Sequence, residues 1–204
     1  ITCLQVAPAH VAAAATPTFV QARANEVTSG TTNSRAFSSA TTAGNSIVIA
    51  VLWNNAGTVS VADNRGNTYT SATARTAWGN NWSSQVFYAT NIVGGATTVT
   101  ATFGTPTNDG AIIYIHEYAG LGNVNPVDVT KSAIGTGSAM SSGSVATTNA
   151  SDLLFAFGAS SNRVTAAGSG YTTRSTAYGN RTQDRTVSAT GNYAATATQN
   201  GNAW

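Results

Sequence analysis

Charge is what this sequence has least of. Nine Lys or Arg and seven Asp or Glu make up 8% of its 204 residues, against roughly 25% in an average soluble chain. The net charge is +2, and the cations are scattered, with no basic patch interleaved with aromatics. The usual electrostatic footprint of a nucleic-acid binder is therefore missing. No apolar run approaches the ~18 residues of a membrane-spanning helix. The longest, Ile47 to Trp53, is strand-sized. Cysteine is nearly absent too. Cys3 stands alone, which excludes an intrachain disulfide and a thiolate metal site. Its Ile1-Thr2-Cys3 setting also lacks the small residue that ordinarily precedes a lipidated cysteine.

Catalytic signatures are equally scarce. There are two histidines, His10 and His116, too few for a zinc site built on a histidine cluster. His116 is followed by Glu117 in "IIYIHEY", but neighbours in a strand point to opposite faces, so the two cannot form one catalytic pair. No G-x-S-x-G turn or Ser-His-Asp arrangement is legible. The acids Glu26, Asp63, Asp109, Glu117, Asp128, Asp152 and Asp184 are isolated in the sequence, and no two are marked as a glycosidase pair. The reading is a non-enzyme with no cofactor and no metal. "DNRGN" (63–67) could offer oxygens to Ca²⁺, but it lacks the later bidentate acid of a calcium loop and reads better as a hairpin turn.

What is present is β pattern. Apolar residues are 42% of the chain, enough for a core. β-branched and alternating segments recur between Gly, Asn and Ser clusters, and no convincing helix appears. Strands are expected near 18–27, 46–53, 58–62, 68–76, 84–90, 97–103 and 111–118. Others are expected near 127–134, 143–148, 152–159, 170–176, 184–190 and 192–198. "SIVIAVLW", "AIIYIHEY" and "DLLFAFGA" are the most apolar and should be central. About a dozen strands without helices imply an all-β, two-sheet antiparallel β-sandwich, jelly-roll-like.

The string "TAGNSIVIAVLW … VSVADNRGNTYT … VFYATNIVGGATTVTATF … IHEYAGL … SGSVATTNASDLLFAFGA … GYTTR … RTVSATGNYAATATQNGNAW" resembles a β-sandwich module common in bacterial secreted and surface proteins. The likeness covers about 18–204. It implies the fold and a secreted, extracellular or cell-surface setting, and carries no activity. Such modules tend to continue beyond the Trp matching Trp204 with one more apolar strand.

The organisation expected is an N-terminal arm, 1–17, and a single sandwich domain, 18–204. The arm, "ITCLQVAPAHVAAAATP", ends in small residues of the A-x-A kind, as a signal remnant would. It could equally be an extended strand that fills a groove left in a sandwich, in its own subunit or the next. Cys3, Leu4, Val6 and Val11 are then the self-association residues. A head-to-tail arm propagates as a fibre, so the leading functional expectation is a structural, self-associating subunit of an extracellular filament or surface layer, a homo-polymer. The alternative is a carbohydrate-binding or adhesion module taking a polysaccharide. Its site would be Trp78, Asn80, Asn81 and Trp82 in "TAWGNNWSSQ", with Trp53, Tyr69 and Tyr178 able to join.

Overall fold

The computed structural model describes residues 1–6 and 16–204. The chain packs as two compact units, one of residues 1–17 with 120–204 and the other of residues 18–119. Where the sequence suggested one sandwich over 18–204, the packing groups the first residues with the C-terminal half. The strands are nineteen short segments among the described residues. The first is β1 (Thr2–Val6). The second unit holds β2 (Thr18–Val27), β3 (Gly30–Ala36), β4 (Ser46–Asn54), β5 (Val59–Asp63), β6 (Thr70–Ser71), β7 (Thr76–Trp78), β8 (Trp82–Ala89), β9 (Thr98–Thr107) and β10 (Ala111–Ala119). The rest of the first unit holds β11 (Val127–Ser132), β12 (Ala139–Ser141), β13 (Val145–Ala146), β14 (Asp152–Gly158) and β15 (Val164–Ala167). It continues with β16 (Thr172–Ser175), β17 (Arg181–Val187), β18 (Asn192–Tyr193) and β19 (Thr196–Gln199). The one helical element described is a 3-10 turn, Ala177–Gly179. The chain is all-β, and every strand pairing is antiparallel.

In the 18–119 unit a sheet ordered β2-β10-β4-β8-β6, with β7 beside β8, faces a three-stranded sheet β3-β9-β5. Their shared core joins Ile47, Ile49, Val51 and Trp53 with Phe87, Ile113 and Ile115 from one sheet, and Val99, Ala101 and Phe103 from the other. All of these core positions are odd-numbered, as a period of two requires. β4 and β10 are inner strands buried along nearly their whole length, as continuous apolar runs demand.

The other unit has a five-stranded sheet ordered β11-β1-β14-β17-β16, a three-stranded sheet β12-β19-β15 and the pair β13-β18. Its core cluster gathers Ile1, Met140, Ala156, Val164, Ala195, Ala197 and Trp204. Trp204 exchanges backbone hydrogen bonds with Gly135, at 2.9 and 3.0 Å.

Glu117 shows how this chain treats a buried charge. It is fully buried in β10. Its carboxylate accepts the Thr42 backbone N–H at 2.8 Å, the Asn45 amide at 2.7 Å and the Gln21 amide at 2.7 Å. Three neutral donors thus hold one anion and tie the 42–45 turn and β2 to β10. Glu117→Leu leaves these part-buried donors without their acceptor, at a cost of up to about 1–3 kcal/mol for each that water does not reach. The expected outcome is a loss of about 2–5 kcal/mol in urea unfolding, with Glu117→Gln intermediate.

Candidate functional site

The feature that stands apart is the slot occupied by β1. β1 is an inner strand paired on both edges. Thr2, Cys3 and Leu4 stand opposite Ser132, Lys131 and Thr130 of β11, and the register slips by a bulge before Val6 meets Val127. On the other edge Thr2 to Val6 stand opposite Phe157 to Leu153 of β14 without a break. β11 reaches the rest of this sheet only through β1. Ile1 lengthens the seam. Its amine donates to the Ala133 carbonyl at 2.9 Å, and the Ala133 N–H returns a bond at 3.3 Å. Burial of that amine lowers its pKa to about 5. Of the self-association residues expected from sequence, Cys3, Leu4 and Val6 lie on β1; Val11 lies outside the described residues.

Two carboxylates that the sequence left apart meet at the end of this slot. Val6 is opposite Val127 on one side and Leu153 on the other, so Asp128 and Asp152 each sit one residue from that rung. Asp128 accepts the Thr148 backbone N–H at 2.7 Å and a hydrogen bond from the Thr148 hydroxyl. Asp152 is fully buried, and neither of its oxygens receives a donor. Burial foremost, then the Asp128 charge and a hydrogen bond shared with Asp128, push the Asp152 carboxyl up to about 7. Sequence spacing could not show the pair, because twenty-odd residues of turn and short strand separate its members.

The Trp78–Trp82 tip is a closed hairpin. The two residues face each other across β7 and β8, and their rings stack at 6.3 Å with 23° between planes. Trp78 is only 7% exposed, and the Trp82 ring lies over Gly110. Each indole turns one face to the other; Trp78 is buried and Trp82 half-buried. Asn80 and Asn81 are exposed at the turn, with Asn81 in the left-handed region at φ 65°. Trp53 is fully buried and donates to the Gly57 carbonyl. Tyr69 donates to Asp63 at 2.8 Å. Tyr178 is 45% exposed and belongs to the other unit.

"DNRGN" is a side-chain-locked turn. Asp63 accepts the backbone N–H groups of Arg65 and Asn67 and the side chains of Asn67 and Tyr69. Burial works to raise its pKa, but these four hydrogen bonds outweigh it and hold the carboxyl below its ordinary value. Among the described residues, no three His, Cys, Asp or Glu side chains are grouped to hold a metal ion, and no helix is long and apolar enough to cross a membrane. No family model, curated protein or solved structure matches this chain.

The Asp152 pair sets a pH dependence. The unfolded carboxyl titrates near 3.8 and the folded one near 7. Between these values the folded state keeps a proton that the unfolded state has released. Stability from this group therefore falls as pH rises from about 4 to about 7 and is level above. Asp152→Asn, whose amide can donate to Asp128, should flatten that descent. It should also raise stability at pH 8 by about 2–4 kcal/mol, measured by urea melts across the range.

Proposed function

We propose that this chain is a non-catalytic, extracellular structural protein whose copies associate by exchanging β1. The observation that carries the reading is the place of β1. It is an inner strand with both edges paired, and residues 7–17 join it to β2, which belongs to the other unit. A β1 from a second copy would make the same backbone bonds in the same slot, so exchange costs no pairing. When each copy gives one strand and receives another, the contact is heterologous and need not close, and a filament follows. The low charge, the abundance of Thr, Ser and Asn, and the resemblance to modules of bacterial secreted and surface proteins support an extracellular, cell-surface setting.

Concentration decides between self-insertion and exchange. The tether gives the chain's own β1 an effective concentration on the order of millimolar, so exchange requires crowded subunits. The native thiol offers a direct test. Cys3 stands opposite Ala156 in the β1–β14 register, and directly opposed antiparallel residues have Cα atoms about 4.5–5.5 Å apart, within disulfide reach. The Ala156→Cys variant, oxidised at high protein concentration, should run as a ladder of covalent multimers on a non-reducing gel. The wild-type chain, with one thiol, cannot pass the dimer. Negative-stain microscopy should show fibres that vanish when residues 1–17 are removed. Only internally crosslinked monomers, together with dispersed particles from the full chain, would overturn the proposal.

A further inference from the structure

A second feature lies wholly within the 18–119 unit. A cleft of about 350 Å³ opens beside the edge strand β6, lined by Asn67, Thr68, Thr70, Tyr88, Thr90 and Asn91. That volume falls at the small end of the ~300–1,000 Å³ of small-molecule sites.

Its walls are fixed in advance. Asn67 is held by three hydrogen bonds. Its side-chain oxygen accepts the Val93 N–H at 2.6 Å, its amide donates to Asp63 at 2.7 Å, and its own N–H donates to Asp63 at 3.1 Å. Next to Val93, Ile92 is buried in the core, and its backbone exchanges bonds with Asn45 and Gly44 at 3.0 Å each. With Ile92 anchored, Asn91 and Val93 on either side of it are exposed. Asn91 holds the left-handed conformation, φ 50°, a backbone state that costs a residue other than glycine energy and clusters at binding sites. Tyr88 is half-buried on β8, with its backbone fixed between Thr70 of β6 and Val48 of β4.

The chemistry of the lining selects the ligand. No Asp, Glu, Lys or Arg lines the cleft. The nearby Asp63 has its oxygens engaged by the turn, and the Arg65 guanidinium lies against Gly95. An ionic ligand therefore gains no partner. What the cleft offers is one aromatic ring, three threonine hydroxyls that both donate and accept, and the Asn91 amide. An aromatic ring for C–H faces, with neutral hydrogen-bonding groups around it, complements a polyhydroxylated ring.

We infer that this cleft binds a neutral saccharide unit, with Tyr88 stacking on the sugar ring and Asn91 and the threonines bonding its hydroxyls. The site is separate from the β1 slot, and its lining includes neither Trp78 nor Trp82.

The test is an amide NMR titration of the full chain with cellobiose, maltose, lactose and diacetylchitobiose. Each is taken to about 20 mM, enough to half-saturate a site of millimolar affinity. At least one sugar should shift the amides of Thr68, Tyr88 and Asn91 saturably. Tyr88→Ala should weaken that binding at least about tenfold. Because Tyr88 is half-buried, Asn91→Gly serves as the second variant. Glycine adopts positive φ freely, so the fold stays and only the amide is lost, with an expected drop of several-fold. The proposal is overturned if no sugar shifts these amides. It is also overturned if binding survives Asn91→Gly and is lost instead in Trp82→Ala.

Discussion

A buried polar group in this chain has few charges to turn to. Arg174 pairs with Asp184 at 2.7 Å. Backbone groups and neutral amides take over the task that ion pairs perform elsewhere. Asn33, 1% exposed, donates to the carbonyls of Asn25 and Ala111 and accepts the Asn25 amide. Gln199 accepts from Ser160 and Gly201 and donates to the carbonyls of Gly137 and Gly201. Gln183 bridges Gly168 and the Thr196 carbonyl. Each amide has donor and acceptor at fixed spacing, so it can close two backbone gaps at once without the desolvation cost of an ion. Asn and Gln at buried positions are therefore latches between strands, and Glu117 is their charged counterpart, held by neutral donors.

Asp152 breaks the pattern. Its buried oxygens lack the amide or N–H partners that Asn33, Gln183, Gln199 and Glu117 have, and its nearest electrostatic partner is another carboxylate. It stays neutral by keeping a proton to about neutral pH.

The fold was legible wherever apolar periodicity was strong. β2 has the limits its alternation suggested, and the inner positions of β4, β10 and β14 follow from apolar runs that only a strand buried on both faces can use. The elements missed are those whose side chains carry no such signal. β3, "GTTNSRA", is polar almost throughout; it is a strand because β9 pairs with it and Asn33 pins it. β12 and β15 are too short to show a period. The expected strand at 68–76 is two fragments, β6 and β7, since β8 pairs with both while the turn between them bonds through Ser71 and Thr73 side chains. In the candidate sites, the Trp78–Trp82 pairing was visible as a hairpin. The Asp128–Asp152 pair and the Tyr88 cleft were not, because each is assembled by strand order, which local sequence does not encode.

β1 also shapes how the C-terminal unit can form. β11 has β14 as a sheet neighbour only through β1. Until β1 arrives, β11 carries an unpaired edge and β14 an open one, beside an apolar core that includes Ala156, Val164 and Trp204. The partners of Thr2 to Val6 lie more than 120 residues along the chain. Closing so long a loop is entropically expensive and slow compared with hairpins such as β7–β8. A unit in which the local pairings have formed and the slot is still empty would present two exposed strand edges of complementary register. Such edges pair with whichever matching strand reaches them first. In dilute solution that is the tethered β1. On the proposed exchange, a β1 from a neighbouring copy would meet the same two edges in the same register, without any change in the contacts that stabilise the unit.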